Sequence, residues 1–391
     1  AVAIINPNRL DQISECRNLA AVGVTFLLLV ALNKTLREQT DIQEPNLLNF
    51  LDLVALGTVC DVMQIVGLNR VFVSQGLKIM SLRQNLGLTT LVDLINIDEK
   101  PNAQHLSFGI GPHINAGGRI GESDLGAKLL STNDQSIAIQ ISEKLQSLNI
   151  ERKALENEGS EEAIAMAEKM LSPMTNVIVV SGDWHQGIIG IIAGRLKERF
   201  YLPSIVISMS EDGTGKASAR SISGIDIGSA VLTAKALGII IEGGGHEMAA
   251  GFSITKENVD KLRDFLIERF RDYEIQKVLR YESVISVNGV TFNLYRQLQS
   301  LEPFGIGNPE PRFVINGIKI AKVQIIGVNH IRCLIMGNNN SYINAVAFRV
   351  VGTPTGDAIM SGNACSVLGK ISINYWKGKE NIQFLIEDVM A

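Results

Sequence analysis

Residues 136–172 carry charged side chains spaced three and four apart among helix-forming residues, and this stretch constrains the fold more than any other. The pattern predicts a long helix with a solvated surface that connects two domains. A chain of 391 residues is too long for one ordinary core, so two or three domains are expected. Residues 1–135 mix apolar strands with helical patterns, and we expect them to form the first of these domains.

Residues 173–274 show the alternation of strand and helix patterns that is typical of an α/β domain. The run 176–184 (NVIVVSGDW) predicts a strand, 187–200 a helix and 203–210 the next strand. After a polar turn, 215–222 (GKASARSI) and a helix around Ser229 to Gly238 lead to 242–254 (EGGGHEMAAGFSI). This order predicts a βαβ unit within a smaller α/β domain.

Residues 275–391 contain short β-rich runs separated by Gly, Asn and Pro, and roughly five such strands suit a small β-barrel of the OB type. Between Arg312 and Lys379 there are eight basic residues and one acidic residue, whereas the whole chain has a formal net charge of -4. A basic barrel with exposed aromatic rings is what single-stranded nucleic acid requires, although a solvated strand surface would give the same composition. The candidate nucleic-acid contacts are Arg312, Arg332, Tyr375, Trp376, Lys377 and Lys379, with Tyr342 as a further aromatic candidate.

Composition excludes several classes of protein. Hydrophobic residues make up 46% of the chain and charged residues 19%, which indicates a folded globular protein. The longest uncharged apolar stretch, 19–32, is shorter than the ~20 residues of a membrane-spanning helix, so we expect a buried helix there and no membrane partner. No secretion signal or C-x-x-C pair is present, which predicts a cytoplasmic protein with four free thiols. No phosphate-binding G-x-x-x-x-G-K-[ST] loop occurs, which argues against a P-loop ATPase.

Two apolar runs near the start of the chain raise specific expectations. Residues 1–9 (AVAIINPNR) have the pattern of a strand that enters in mid-domain. The run 53–70 reads as a buried strand interrupted by Asp61. Because a desolvated carboxylate is costly, Asp61 is expected either to pair with a core arginine or to bind a metal ion.

Several residues of the smaller α/β domain are candidates for binding an anion. Gly243, Gly244 and Gly245 precede His246 and a helix-compatible run, and glycines allow backbone N–H groups to approach a phosphate at a helix N-terminus. A tight turn with a structural histidine is the alternative. Loop-like positions of the same domain carry further candidates, which could converge on one anion: His185, Gly187, Ser218 and Arg220.

Taken together, these motifs resemble the DHH/DHHA1 phosphoesterases, and within them the family of RecJ-type single-strand-specific 5′→3′ exonucleases. The resemblance extends along essentially the whole chain. It is carried by seven stretches: 5–9 (INPNR), 51–62 (LDLVALGTVCDV) with Asn69-Arg70, 108–119 (FGIGPHINAGGR), 184–196 (WHQGIIGIIAGRL), 215–221 (GKASARS), 243–252 (GGGHEMAAGF) and 301–311 (LEPFGIGNPEP).

The resemblance implies an α/β multidomain fold: the remainder of a DHH domain (1–135), a connector helix (136–172), a DHHA1 domain (173–274) and an OB-like barrel (275–391). It implies that Asp61 is a ligand of Mn²⁺ or Mg²⁺. It also implies that His113, Asn115 and Arg119 bind substrate with the anion candidates above, and His113 stands where the family usually has arginine. The family's Asp-x-Asp and DHH ligands are not in this sequence, so the metal site is expected to be incomplete without them.

Three functions are compatible with these residues. The first is a metal-dependent exonuclease on single-stranded DNA in DNA repair and recombination, inactive without the missing DHH segment, which is then a partner. The second is a phosphoesterase of the same superfamily acting on short oligonucleotides or cyclic dinucleotides, although such enzymes generally lack the terminal barrel. The third is a non-catalytic DNA-binding protein.

Overall fold

The computed structural model describes residues 3–9, 11, 13–39, 42–276, 278–338, 341–362, 365–376 and 379–390. They divide into two compact units. The first unit comprises the described residues within 1–82, 100–106 and 278–391, and the second comprises those within 83–99 and 107–277.

The first part of the chain is helical. Its helices are α1 (Ala21–Gln39), α2 (Leu51–Cys60), α3 (Gly67–Met80), α4 (Leu86–Leu94), α5 (Gly111–Ile120), α6 (Leu125–Ser131) and α7 (Gln135–Glu168), with a 3₁₀ turn at Leu47–Phe50 and a π-helical turn at His105–Ile110.

The predicted connector is the 34-residue helix α7, whose N-cap Asp134 accepts hydrogen bonds from the backbone N–H groups of Ser136 and Ile137. Its surface is not simply solvated, since a stripe of buried residues follows its length and includes Leu145, Leu148 and Ala163. The helix packs against α4, α5 and α6. The long helix is therefore present, but the expectation of a fully solvated surface is wrong, because the charges cover only one side of a packed helix.

The second unit contains the predicted βαβ pattern and a five-stranded sheet. Its elements after α7 are β1 (Ile178–Gly182), α8 (Ile189–Phe200), β2 (Ser204–Met209), β3 (Thr214–Arg220), α9 (Ile227–Ala236), β4 (Glu242–His246), β5 (Ala249–Thr255) and α10 (Val259–Arg269). The strand order is β1-β2-β3-β5-β4, with β1 and β2 parallel and the other pairs antiparallel.

The two faces of this sheet are covered differently. Buried residues of α9 and α10, such as Val231 and Leu262, form one core with Ile205, Ala219 and Phe252 of the strands. On the opposite face, Ile192 and Leu196 of α8 pack with Val180 and Val206 of β1 and β2. The remaining part of that second face, on β3, β5 and β4, carries the candidate site described below.

The C-terminal part of the first unit contains β6 (Ser283–Val284), α11 (Phe292–Gln299), β7 (Phe313–Asn316), β8 (Lys319–Ile326), β9 (His330–Met336), β10 (Tyr342–Ala347), α12 (Pro354–Ser361), β11 (Ser366–Trp376) and β12 (Lys379–Met390). The strands form one seven-stranded sheet in the order β6-β7-β11-β12-β10-β9-β8. Inward-facing residues of these strands form their own core, which includes Ile331, Ile335 and Phe384. The sequence indicated about five strands because β7 and β8 lie in one continuous β-rich run and because β6 has only two residues.

Three local expectations are wrong. Of residues 1–9, the described ones form no strand. The apolar run before Asp61 is helix α2 and not a strand. Residues 19–32 do lie largely in a helix, α1, but Leu28 and Leu32 are exposed, so the helix is not buried. None of the helices that the structure describes has both the length and the apolar character needed to cross a membrane.

Candidate nucleic-acid site

The register of the second unit's sheet places three candidate residues on one face. Arg220 of β3 lies opposite Ala249 of β5, which lies opposite His246 of β4. Residues opposite one another in antiparallel strands project to the same face, as do residues two apart in one strand. Ser218 therefore shares the face of Arg220 and His246.

Next to this row the sheet has no side chains. Gly251 and Gly244 lie opposite each other, and Gly251 also lies opposite Ser218. A Cβ atom built on Gly244 would meet nothing within 4 Å, and one built on Gly251 would meet only a carbonyl oxygen at 3.7 Å. These two glycines thus form a flat, accessible strip beside Ser218, Arg220 and His246, which we call the glycine strip.

Gly243 and Gly245 are glycines for a different reason. A Cβ on Gly243 would lie 2.5 Å from the Cβ of Phe252, and one on Gly245 would lie 2.5 Å from the Cβ of Ala250. Both positions lie on the face of the sheet that carries the core residues Phe252 and Ala250, where β4 and β5 approach closely, and Gly245 itself is exposed at the edge of that face. The GGGH sequence is a strand of a β-hairpin and not the start of a helix, so the expected helix N-terminus after His246 is wrong. The sequence alone could not show that Gly244 faces the open side of the sheet while Gly243 and Gly245 face the other side. Which glycine lies on which face depends on how β4 pairs with β5.

The N-terminus of α8 lies against Arg220. A Cβ on Gly190 would be 2.7 Å from Nη2 of Arg220 and 3.1 Å from the hydroxyl oxygen of Ser218. The Arg220 Nη1 atom donates a hydrogen bond to that hydroxyl oxygen at 2.9 Å. No side chain caps α8, and its first turn has no acidic residue. The positive end of a helix dipole and a guanidinium group therefore lie side by side, and both favour a negatively charged group.

A second arginine, Arg119 of α5, contacts the loop that precedes α8. Arg119 Nη1 donates to the carbonyl oxygen of Gly187 at 2.9 Å. The Gly187 N–H donates to Nδ1 of His185 at 3.0 Å, so Nε2 is the ring nitrogen that carries the proton in the neutral form.

Burial lowers the pKa of Arg220 below its usual range, and the charge of Arg119 lowers it further. Neither arginine forms an ion pair with a carboxylate among the described residues.

A cleft of about 800 Å³ opens beside this loop. It lies at the carboxyl ends of the parallel strands β1 and β2, where α/β sheets commonly bind ligands. Its lining includes Arg119, His185 and Gly187, and also the acidic residues Asp183 and Glu211.

His113 and Asn115 lie on the same helix as Arg119. Asn115 is exposed, and His113 is half-buried with its Nδ1 atom 2.7 Å from the carbonyl oxygen of Gly109. Burial lowers the pKa of His113, and the nearby charges of Lys153 and Arg152 lower it further, whereas the hydrogen bond to Gly109 raises it. The imidazole is therefore held toward its neutral form.

A buried charge network on α7 lies behind Arg119, and sequence reasoning missed it. Arg152 pairs with Glu156 one turn along α7, and Arg195 of α8 lies 3.5 Å from the second oxygen of Glu156. Asn149 accepts from Nη2 of Arg152 at 2.7 Å. Burial and the charge of Arg152 lower the pKa of Arg119, while the charge of Glu156 raises it. The sequence shows that Arg152 and Glu156 are four residues apart, but it does not show that they are buried. Their burial results from the packing of α5 and α8 against α7.

Asp61 lies in the first unit and is exposed at the C-terminal end of α2. The desolvated carboxylate is instead that of Asp52, directly before this run, which is 2% exposed and whose pKa is raised by burial. The following Val62 has a positive φ of 59°, which is strained for a β-branched residue. No group of three or more His, Cys, Asp or Glu side chains suited to a metal ion exists among the described residues. These residues alone do not form a metal site, and Asp61 can supply only one ligand.

The candidates on the seven-stranded sheet differ in their surroundings. Arg312 lies 2.8 Å from Glu387, and Lys370 lies 3.0 Å from Glu387 and 3.4 Å from Glu310. Both acids flank the basic segment, so its charge is partly neutralised. Arg332 and Lys379 are exposed and form no ion pair among the described residues. Lys377 and the side chains of Tyr375 and Trp376 lie outside the described residues, whereas Tyr342 is exposed on β10.

Comparison with known domain families identifies two regions. Residues 174–272 match the DHHA1 domain, and residues 281–388 match the RecJ OB domain. The α/β multidomain fold with a DHHA1 domain and an OB-like domain is thereby confirmed.

Whole-chain comparison gives several relatives described as the single-stranded-DNA-specific exonuclease RecJ. The chain is 32% identical over 405 residues to the single-stranded-DNA-specific exonuclease RecJ of Dickeya dadantii, covering 99% of this chain and 70% of the relative. A crystal structure of Thermus thermophilus RecJ in complex with Mn²⁺ matches 94% of the chain at a TM-score of 0.80 and 27% identity. The corresponding complex with Mg²⁺ matches 98% at a TM-score of 0.78 and 24% identity. This chain covers 53% and 57% of the two solved chains, which is little more than half of their length.

Proposed function

Because the chain belongs to the RecJ family of single-stranded-DNA-specific exonucleases, we propose that it holds single-stranded DNA for metal-dependent 5′→3′ hydrolysis of phosphodiester bonds. In this proposal residues 1–135 are the C-terminal part of a DHH domain, 136–172 a connector helix, 173–274 the DHHA1 domain and 275–391 the OB-like domain. The protein would act in the cytoplasm, where its substrate in repair and recombination is found.

The observation that carries the proposal is the position of Arg220 at the uncapped N-terminus of α8. Arg220, the Ser218 hydroxyl and the N-terminus of α8 meet at one place on the sheet face, and Arg119 is close enough for its charge to lower the pKa of Arg220. Neither arginine forms an ion pair with a carboxylate among the described residues. This arrangement favours a bound phosphate, which accepts hydrogen bonds from guanidinium, hydroxyl and backbone N–H groups. We assign Arg119, Ser218, Arg220 and His246 as its contacts, with His185 at the edge of the neighbouring cleft.

The glycine strip suits the nucleotide attached to that phosphate. Since Gly244 and Gly251 present no side chains to the open face, a flat base or sugar can approach the backbone closely. Lys216 lies four residues before Arg220 on the same face, about 13 Å away along the strand. The face is therefore long enough for more than one nucleotide of an extended strand.

The metal requires residues beyond those described. Mn²⁺ or Mg²⁺ takes several oxygen or nitrogen ligands, and when bound it supplies an activated water and neutralises the phosphoryl oxygens. Asp61 would contribute one carboxylate. We propose that the remaining ligands come from a DHH-motif segment, covalently linked or separate, that is a structural partner of the first unit. The exposed apolar residues Leu28, Leu29, Val30 and Leu32 of α1 support this proposal, because such a row in a folded domain is normally covered.

The OB-like domain would give a second contact with the strand. Arg332 and Lys379 are exposed cations without ion-pair partners in the described structure, and Tyr342 offers an exposed ring on the neighbouring β10. Cations for phosphates and rings for bases are the two requirements of single-strand binding.

Binding of a 5′-phosphorylated oligo-dT, measured by fluorescence anisotropy, tests the phosphate site. Arg220→Ala should weaken binding roughly 10- to 100-fold, since hydrogen bonds to charged groups are lost. Lys261→Ala is the control, because this exposed lysine is on α10, which covers the opposite face of the sheet. Equal affinity of the wild type and Arg220→Ala would contradict the assignment. Strong binding without metal-dependent hydrolysis, even with the DHH segment supplied, would favour the non-catalytic alternative.

A further inference from the structure

Phe108 is the most exposed aromatic ring on the helices of the second unit, with 81% of its surface accessible. It lies in the π-helical turn His105–Ile110, directly before α5. π-Helical turns are rare and are frequently found at functional sites. A large apolar ring in water is unfavourable unless it is covered by a ligand or partner.

The same helical run carries Arg119. In residues 107–120, which are the part of the π-helical turn and α5 that belongs to the second unit, the exposed positions are Phe108, Asn115, Gly118 and Arg119. Ile110, Ala116 and Gly117 are buried. Asn115 and Arg119 are four residues apart and lie on one side of α5, and the exposed Phe108, seven residues before Asn115, extends this stripe into the π-helical turn. The stripe ends at Arg119, which lines the cleft beside the phosphate site.

Charge and shape along this stripe match a nucleic-acid strand. Arg119 offers a cation for a phosphate, Asn115 offers hydrogen bonds, and Phe108 offers a flat ring on which a base can stack. At about 1.5 Å per residue, Phe108 lies roughly 16 Å from Arg119 along the helix axis, which corresponds to about three to five nucleotides of a stacked or partly extended strand.

We propose that Phe108 stacks on an unpaired base of the strand whose phosphate contacts Arg119, and that this contact selects single-stranded over duplex DNA. A base in a duplex is already stacked on both sides and cannot offer its face to a side chain. The inference rests on the proposed function, since it assumes that the phosphate site binds DNA.

Abasic scanning tests the proposal. Affinities of the wild type and Phe108→Ala are measured for oligo-dT of about 12 nucleotides in which one base at a time is removed. Phe108→Ala should weaken binding of the intact strand roughly 5- to 150-fold. At one position the abasic strand should bind the wild type and Phe108→Ala equally, because the base that stacks is already missing. Phe108→Trp should retain affinity, and its fluorescence should be quenched on binding.

Phe108→Leu is the matched control, because leucine keeps an apolar side chain and lacks the aromatic face. If Phe108→Leu binds as well as the wild type, or if no abasic position removes the effect of Phe108→Ala, the stacking assignment is wrong. Failure of the wild type to bind any single strand would instead contradict the proposed function. Circular dichroism melting of each variant separates loss of binding from loss of folding.

Discussion

Arg119 and Gly187 contact each other through both backbone and side chain. The guanidinium Nη1 of Arg119 donates to the Gly187 carbonyl oxygen at 2.9 Å, and a Cβ on Gly187 would lie 2.2 Å from the Arg119 carbonyl oxygen. The end of α5 and the loop before α8 therefore approach at a distance that only glycine permits. This contact fixes Arg119 beside the N-terminus of α8.

Gly187→Ala should separate these two segments. The added methyl group cannot be accommodated against a backbone carbonyl, so we expect a loss of about 1–3 kcal/mol in the free energy of unfolding and weaker binding of single-stranded DNA. Urea unfolding and anisotropy measure the two effects. Gly194→Ala, within α8 and with open space at its Cβ, is the control and should be neutral or stabilising by about 0.5–1 kcal/mol. Equal behaviour of the two variants would show that the close contact does not matter.

Glu156→Ala should strongly destabilise the second unit. Glu156 is 3% exposed and pairs with Arg152 and Arg195, so its removal leaves buried guanidinium charge without a carboxylate. Breaking a buried pair from one side costs about 3–5 kcal/mol, which thermal or urea unfolding will detect. Glu158→Ala, exposed on the same helix, should change stability little. A small effect of Glu156→Ala would indicate that water replaces the carboxylate.

His113 should make stability depend on pH. Burial lowers its pKa in the folded protein, so the unfolded chain binds the proton more readily below the usual histidine pKa of about 6.5. Stability is therefore lost as the pH falls below that value, until the pH is below the folded pKa as well. Urea unfolding between about pH 5 and pH 8 should show a shallower dependence for His113→Asn than for the wild type. Identical curves for the two proteins would contradict the lowered pKa.

The OB-like domain should contribute to the salt dependence of DNA binding. Each phosphate contact adds about 0.7 to the slope of log affinity against log salt for a single strand. Arg332→Gln or Lys379→Gln should therefore reduce the slope by about that amount. Arg312→Gln should reduce it less, because Arg312 is paired with Glu387. Slopes that are unchanged in all three variants would remove this surface from the binding mechanism.

The sequence predicted correctly those helices and strands whose formation depends mainly on residues close together in the chain. The βαβ unit of β1, α8 and β2 was predicted because each element has its own periodicity and turn residues. The helix α2 was missed because the run before Asp61 is apolar on all sides, and such runs suit a buried helix as well as a strand. The site itself depends on long-range pairing. Ser218 and Arg220 were candidates from their motif, but the open strip at Gly244 and Gly251 follows from the register of three strands.

Metal-dependent digestion of a 5′-labelled single strand tests most directly the claim that this chain holds DNA and contributes only one metal ligand. Residues 1–391 are assayed in Mn²⁺ alone, with a DHH-motif segment added, and with that segment plus Asp61→Ala. We predict negligible digestion by the chain alone, 5′→3′ digestion when the segment is added, and its loss in Asp61→Ala despite unchanged DNA binding. EDTA-sensitive digestion by residues 1–391 alone that survives Asp61→Ala would contradict the account.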